Sequence, residues 1–133
     1  MGGVVERRIR EQIQPGQRLT TPAQGKLFLV ADMTSEALVL DLAEKWRTPI
    51  PWTSIEGIEP FVSARGSVLI GSRYDTQGLE GTLDGYLKGY VNRATAGWVA
   101  AVLEAAGVLE IDRRRPARVR LARDFRKHLG QST

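Results

Sequence analysis

The 133-residue sequence contains no cysteine and only one histidine, His128. Without cysteine there is no disulfide framework, no thiolate zinc site and no cysteine nucleophile, which fits a reducing compartment. A single histidine also makes histidine-rich metal sites and Ser-His-Asp triads poor candidates. The glycines of residues 71–89 match neither G-x-G-x-x-G nor the Walker spacing. The sequence therefore indicates no metal and no cofactor.

Long hydrophobic runs are also missing. The longest apolar run, residues 94–109, is interrupted by Glu104 and falls short of the ~20 residues that cross a bilayer. The beginning of the sequence lacks the apolar centre and the cleavage site of a secretory signal. We therefore expect a soluble, cytoplasmic protein with no membrane partner.

Two groups of carboxylates are candidates for catalysis, and neither has a supporting pattern. Asp41 with Glu44 and Lys45 lacks the Asp…Glu-x-Lys spacing of nuclease-like sites. Glu110 and Asp112 would share one face of a strand, but they lie among arginines, where ion pairing explains them. We therefore expect no enzymatic activity and name no catalytic residue.

Positive charge, in contrast, is concentrated in one stretch of the chain. The sequence carries 19 Lys+Arg and 15 Asp+Glu, a net charge of +4. Residues 112–127 alone hold eight cations and two aspartates, a net +6, so the remainder carries −2. The cations are Arg113, Arg114, Arg115, Arg118, Arg120, Arg123, Arg126 and Lys127. Such a cluster favours a phosphate-rich partner such as nucleic acid, with a solvated basic tail as the alternative.

The N-terminal part begins with an amphipathic segment. In residues 4–14, the apolar residues Val5, Ile9 and Ile13 are spaced for one narrow stripe of a helix of about three turns. Either the rest of the domain or a second copy of the chain has to cover this stripe. A homodimer through the N-terminal helix is therefore one of two expectations.

Strand patterns follow this helix. Residues 26–31 and 37–42 flank a polar loop and predict a β-hairpin, and residues 46–52 add a third strand. Pro49 and Pro51 restrict that third strand to the edge of the sheet. The second segment, taken as residues 37–46, also contains helix formers at helical spacing. We favour the strand because the apolar run is short, and the helix stays the alternative.

From residue 52 onward the pattern becomes mainly helical. Residues 53–56, Thr-Ser-Ile-Glu, match a capping box and predict the start of a helix. Pro60 interrupts this helix and Gly66 closes it, so residues 54–64 should form one broken helix or two short ones. Residues 67–71 then predict a short strand.

Two further helices and a second hairpin complete the chain. Thr82 caps a helix that runs to Val91, and Thr95 caps a helix that runs to Ala106, with Gly107 at its C-cap. The inner face of the latter helix would consist of Val99, Val102, Leu103 and Ala106. Residues 108–121 then form two alternating strands around a basic turn.

This order of elements resembles the winged helix-turn-helix superfamily. Residues 95–109 look like its recognition helix and the start of its wing, and the Arg-Arg-Arg-Pro and Arg-Val-Arg-Leu runs that follow are similar to the wing and its return strand. The resemblance covers residues 52–122, with residues 54–64, 67–71 and 82–91 as first helix, first strand and second helix. Together with the N-terminal patterns, it predicts an α+β fold: residues 1–51 form a short helix with a small β-hairpin or three-stranded unit, and residues 52–133 form a winged helix with a basic tail.

The resemblance also implies a partner, double-stranded DNA. The protein would act as a transcriptional regulator or as the DNA-recognition component of a larger system, with its recognition helix in the major groove and its wing on the backbone. The implied DNA-binding residues are Asn92, Arg93, Thr95, Ala96 and Trp98 near the helix, and Arg113, Arg114, Arg115, Arg118 and Arg120 on the wing. Gly97 and Ala101 would allow the helix to approach DNA closely.

Simpler interpretations stay open beside this one. Trp98 is more simply a packing residue, and Arg118 and Arg120 would pair with Glu110 across the hairpin. Winged helices also serve as protein–protein interaction modules, here with a basic docking tail, and this is the main alternative function.

Overall fold

The computed structural model of the chain describes residues 3–22, 24–42, 47–71, 81–91, 95–114 and 116–131, the last four of these by their backbone only. In chain order the elements are α1 (Val4–Gln12), β1 (Arg18–Thr20), β2 (Leu27–Met33), β3 (Ala37–Asp41), β4 (Arg47–Pro51), α2 (Trp52–Glu56), α3 (Ile58–Arg65), β5 (Val68–Leu69), α4 (Leu83–Leu87), α5 (Ala96–Ala105), β6 (Leu109–Asp112), β7 (Arg118–Leu121) and α6 (Arg123–Gln131). The fold is mixed α+β, with one four-stranded and one three-stranded antiparallel sheet.

The four-stranded sheet has the order β1-β2-β3-β4. The predicted hairpin is its β2–β3 pair, and β4 lies at the edge, where Pro49 stands opposite Val39. Strand β3 confirms the strand over the helix for residues 37–41, while residues 43–46 of that alternative lie outside the described part. The short strand β1 was not individually predicted. It pairs with β2 and completes the sheet.

The apolar stripe of α1 is covered by the same chain. Val5, Ile9 and Ile13 are all buried, and α1 packs against α2 and α5. The first of the two expectations for this stripe is therefore confirmed. The need for a second copy, which motivated a homodimer through α1, does not arise from this face.

The capping box predicted at residues 53–56 is wrong. Helix α2 begins at Trp52 after Pro51, so Thr53 already lies inside it, and no side chain caps its start. The carboxylate of Glu56 instead accepts hydrogen bonds from the backbone N–H groups of Val5, at 3.2 Å, and Glu6, at 2.6 Å. The unpaired amides of α1, whose N-cap Gly3 offers no side chain, attract this carboxylate more effectively than its own helix does.

The predicted division into two short helices is confirmed. Helices α2 and α3 meet at Gly57, and Pro60 occupies the first turn of α3, where a missing N–H costs nothing. A side chain at Gly57 would collide with the Tyr86 hydroxyl, so glycine allows α4 to approach this junction closely.

The predicted helix over residues 82–91 is shorter than expected. Thr82 Oγ1 accepts a hydrogen bond from the N–H of Gly85 at 3.0 Å, which confirms the cap, but α4 ends at Leu87. A turn follows in which the N–H of Gly89 bonds to the carbonyl of Tyr86 at 3.2 Å. Gly89 weakens a continuing helix, which explains the early end.

The second sheet has the order β5-β7-β6. Its β6–β7 hairpin follows the predicted pairing: Leu109 lies opposite Leu121 and Ile111 opposite Val119, on the side that packs on the core. Glu110 and Arg120 stand opposite each other on the other side. Gly107, with a φ of 79°, makes the left-handed turn between α5 and this hairpin.

Both sheets share one hydrophobic core. The cluster includes Ile9, Val30 and Leu38 from the N-terminal part as well as Leu103 and Phe125 from the C-terminal part. The boundary that the sequence places after residue 51 falls at the end of β4. Apolar packing is continuous across this boundary. In the described parts of the chain, no helix combines the length and the apolarity needed to cross a bilayer.

Candidate nucleic-acid interface

Helix α5, the expected recognition helix, lies inside the protein. Thr95 is 0% exposed, Ala96 1% and Ala101 5%. Strand β1 and helix α1 pack on α5 from the N-terminal part, while α4 and β6 pack on it from the C-terminal part. The expectation that Thr95 and Ala96 meet base edges, with Ala101 on the outer face, is therefore wrong for this fold. The resemblance covered residues 52–122 only, and the residues before it cover the helix.

Trp98 behaves as a packing residue. Its ring is half-buried against the core, and its indole Nε1 is buried without a hydrogen-bond partner. The hydroxyl of Thr95 is likewise buried and unpaired, because the helical backbone angles of Thr95 prevent the side chain from capping α5. Asn92 and Arg93 lie outside the described residues.

The arginines of the wing are tied to neighbouring carboxylates. Arg113 forms two hydrogen bonds of 2.7 Å with Glu104, and Arg114 contacts Asp112 at 2.7 Å. Arg120 pairs with Glu110 at 3.0 Å, as the simpler interpretation held. Arg115 lies outside the described residues. These pairs are exposed, so each contributes little free energy and can give way to a phosphate.

Arg118 is the exception on the wing. Its Nη1 donates to the hydroxyl of Ser67 at 3.2 Å and does not pair with Glu110 as expected. The hydrogen bond joins the wing to the loop after α3, and the positive charge of Arg118 stays available to an anion.

The carboxylates of the hairpin are held in their charged form. Hydrogen bonds from the side chain and backbone of Arg114 lower the pKa of Asp112 to about 2. The backbone N–H of Arg123, followed by the side chain of Arg120, lowers the pKa of Glu110. Glu110 thus serves two purposes: it orients Arg120 and receives the first N–H of α6 at 3.2 Å. The start of α6 is thereby fixed against the hairpin.

A groove of about 570 Å³ lies where α1, the hairpin and α6 meet. Four guanidinium groups line it, and they come from α1, β7 and α6: Arg8, Arg120, Arg123 and Arg126. Glu110 and Asp124 are the carboxylates in the lining. The guanidinium of Arg8 lies 5.6 Å from the centre of the buried Phe125 ring, a cation–π distance that fixes its position.

A second groove of about 420 Å³ adjoins the first on the outer side of the hairpin. Arg120 and Glu110 line both, and Arg118 lines the second. We call the surface formed by Arg8, Arg118, Arg120, Arg123 and Arg126 the basic face. Within the described ranges, Arg120 is the one member with a salt bridge.

Sequence reasoning assigned only part of this surface. The sequence pattern predicts Arg118 and Arg120 as wing residues, whereas it indicates Arg123 and Arg126 only as members of the basic cluster. Arg8 was missed because nothing local indicates that α1 lies beside the hairpin. Its only signal was the Arg7-Arg8 pair next to the buried stripe of α1. No protein-family model, curated protein or solved structure matches this chain.

Proposed function

We propose that the protein binds double-stranded DNA through the basic face, as a transcriptional regulator or as the DNA-recognition component of a larger system. The observation that carries this proposal is the convergence of arginines from α1, β7 and α6 on adjoining grooves. Arg8, Arg118, Arg123 and Arg126 form no salt bridge within the described ranges, so a phosphate would not have to displace a carboxylate from them. Guanidinium groups match phosphate oxygens with two parallel hydrogen bonds.

The order of elements supports the same function. From α3 to β7 the chain runs helix, strand, helix, helix, strand, strand, and the sheet order is β5-β7-β6. This order of elements is compatible with the winged helix that the sequence resembles. Because α5 is covered, the proposed contact moves from the helix to the hairpin and α6. Phosphate contacts and DNA shape would then supply most of the affinity, with little direct reading of bases.

The first experiment is a salt titration with a fluorescent duplex. If the basic face neutralises about four to five phosphates, the logarithm of the binding constant falls with the logarithm of salt at a slope of about −4. A flat response between roughly 50 and 200 mM salt would favour the protein–protein module with a basic docking tail, since an apolar interface is insensitive to screening. No binding to any duplex at low salt overturns the proposal.

The second experiment locates the contact. We expect the double variant Arg123→Gln/Arg126→Gln to reduce the slope by about 2 and to weaken binding at least tenfold. The matched control is Arg18→Gln/Arg47→Gln, which removes the same charge from strands β1 and β4 of the other sheet. Equal loss in both variants would mean that only net charge matters, and it would remove the basic face from the mechanism.

A further inference from the structure

A row of four side chains crosses helix α3, α4 and the turn after α4. The guanidinium of Arg65 lies 4.1 Å from the centre of the Phe61 ring, and Phe61 lies 4.8 Å from Tyr86. Tyr86 in turn lies 5.5 Å from Tyr90. Successive rings are tilted by 33° and 49°, which are ordinary geometries for attractive aromatic pairs. We call Arg65, Phe61, Tyr86 and Tyr90 the aromatic row.

The inner members of the row have structural roles. Phe61 and Tyr86 are half-buried against the core, and the Tyr86 hydroxyl donates a hydrogen bond of 2.6 Å to the carbonyl of Ser54. Burial raises the pKa of Tyr86, so the hydroxyl keeps its proton and its bond. These two residues are explained by the packing of α4 against the α2–α3 junction.

Tyr90 is not explained in this way. It is 52% exposed and, within the described residues, only Leu27 at 60% is a comparably exposed large hydrophobic side chain. Tyr90 is also fixed in place. Its N–H bonds to the carbonyl of Leu87 at 2.9 Å, as does the N–H of Val91, and both of these neighbours are buried. These bonds fix the backbone of Tyr90, and its ring packs on Tyr86, so the ring loses little conformational entropy when a ligand stacks on it.

The opposite end of the row reaches toward the basic face. Arg65 ends α3, and two residues later Ser67 accepts the hydrogen bond from Arg118. Arg65 and Arg118 therefore lie on either side of one short loop. Cations of the basic face and the stacked rings of the aromatic row therefore lie side by side. Cations next to stacking aromatic rings are the combination that binds single-stranded nucleic acid.

From this arrangement we infer that the protein prefers DNA in which a duplex adjoins an unpaired strand. The unpaired base stacks on the exposed ring of Tyr90, and phosphates further along the DNA, toward the other end of the aromatic row, contact Arg65 and Arg118. Bases inside a duplex are already stacked on each other, so only an end, a gap or an overhang offers a free base face. This inference rests on the proposed DNA binding and names the kind of DNA.

The test compares three labelled DNAs with the same duplex: one with blunt ends, one with a short thymidine overhang, and one with an overhang of equal length made of abasic nucleotides. We expect the thymidine overhang to strengthen binding by about 5-fold or more, and the abasic overhang by less than about 2-fold. Overhangs of both polarities are used. Equal gains from thymidine and abasic overhangs would show that only phosphates are bound, and they would overturn the inference.

The variants place the effect on Tyr90. Tyr90→Ala should abolish the thymidine gain without changing the affinity for the blunt duplex, whereas Tyr90→Trp should keep the gain. Leu27→Ala, at the other exposed apolar side chain, is the control and should behave as the unaltered protein. A thymidine gain that persists in Tyr90→Ala overturns the inference.

The two proposals fail separately. If the unaltered protein does not bind the blunt duplex at low salt, the proposed function fails. Stacking is then measured with a single-stranded oligonucleotide containing 2-aminopurine, whose fluorescence the unaltered protein should quench and Tyr90→Ala should not. Absence of quenching by the unaltered protein overturns the inference as well.

Discussion

The carboxylate of Glu56 joins two distant segments of the chain. It accepts the N–H groups of Val5 and Glu6 and so supplies the cap that Gly3 cannot. A side chain at Gly3 would collide with this carboxylate and push it away from the two N–H groups. A negative charge at this end of α1 also opposes the positive end of the helix dipole.

Replacing Glu56 by alanine should therefore destabilise the protein. We expect a loss of about 1 to 2 kcal/mol in the free energy of unfolding, because two amides lose their partner and the dipole loses a charge. Urea denaturation measures this loss. Glu11→Ala, in the exposed last turn of the same helix, is the control and should cost much less. Equal losses would show that the two hydrogen bonds of Glu56 add no stability beyond that of an ordinary exposed glutamate.

Glu110 gives the hairpin and α6 a pH dependence. The N–H of Arg123, followed by the side chain of Arg120, holds the pKa of Glu110 below its ordinary value of 4.5. A carboxylate with a lower pKa in the folded state stabilises that state above its unfolded pKa and loses the effect as the pH falls through the folded value. We expect the unfolding temperature of Glu110→Gln to fall less than that of the unaltered protein below about pH 4.5.

Thermal unfolding between neutral pH and about pH 3 checks this expectation. Glu11→Gln should follow the unaltered protein over the whole range. Parallel curves for Glu110→Gln and the unaltered protein would contradict the role of Glu110 as the anchor of α6.

Among the elements, helix α5 shows that local sequence determines where a helix begins and ends but not what packs around it. Its bounds agree with the prediction and Gly107 makes the expected left-handed turn at its end, but the predicted cap by Thr95 is wrong because its hydroxyl forms no hydrogen bond with the helix. The elements around α5 were not predicted, because α1 and β1 come from residues that the winged-helix resemblance does not cover. One signal was available: the run Ala-Gly-Trp-Val-Ala-Ala-Val-Leu-Glu-Ala is apolar around most of the helix, and such helices are buried.

Two glycines at the ends of α5 should respond in opposite directions to alanine. Gly97 lies in the helix with open space around the position of a side chain, so Gly97→Ala should stabilise the protein by about 0.5 to 1 kcal/mol. Gly107 has a φ of 79°, so Gly107→Ala should destabilise it by about 1 to 2 kcal/mol. Urea denaturation of the two variants checks both signs.

The variant Gly97→Ala also tests whether α5 contacts DNA. If α5 lay in the major groove, a methyl group at Gly97 would obstruct close approach of the helix to the duplex. If the basic face makes the contact instead, Gly97→Ala should bind the duplex with unchanged affinity. A loss of binding in this variant without a loss of stability would return α5 to the interface.

At the scale of the whole molecule, the shared core predicts one cooperative unfolding transition. Ile9 and Leu103 belong to different predicted parts of the chain, and both are fully or almost fully buried in the same cluster. Replacing either by alanine should lower the stability of that single transition by about 2 to 5 kcal/mol. Tryptophan fluorescence and far-ultraviolet circular dichroism should give coincident curves. Two separate transitions, each sensitive to one variant, would contradict a common core.

Part of the candidate site could be predicted from the sequence, and part could not. The β6–β7 hairpin and its arginines were accessible because alternation and turn residues act over a few positions. The groove could not be predicted, because it brings Arg8 beside α6, and these are separated by more than a hundred residues in the sequence. Ion pairing also separates arginines that a count of charges treats alike: within the described residues, Arg113 forms a salt bridge with a carboxylate, whereas Arg123 forms none.

The bond between Glu56 and the first turn of α1 has a consequence for how the chain is made. On a ribosome, Glu6 emerges 50 residues before Glu56, a delay of roughly 3 to 10 s at ordinary rates of synthesis. During that time α1 has neither its cap nor the α5 surface that covers Val5 and Ile9. A nascent chain therefore carries an exposed apolar stripe until α5 has been translated, and chaperones that bind such stripes would meet this protein early in its synthesis.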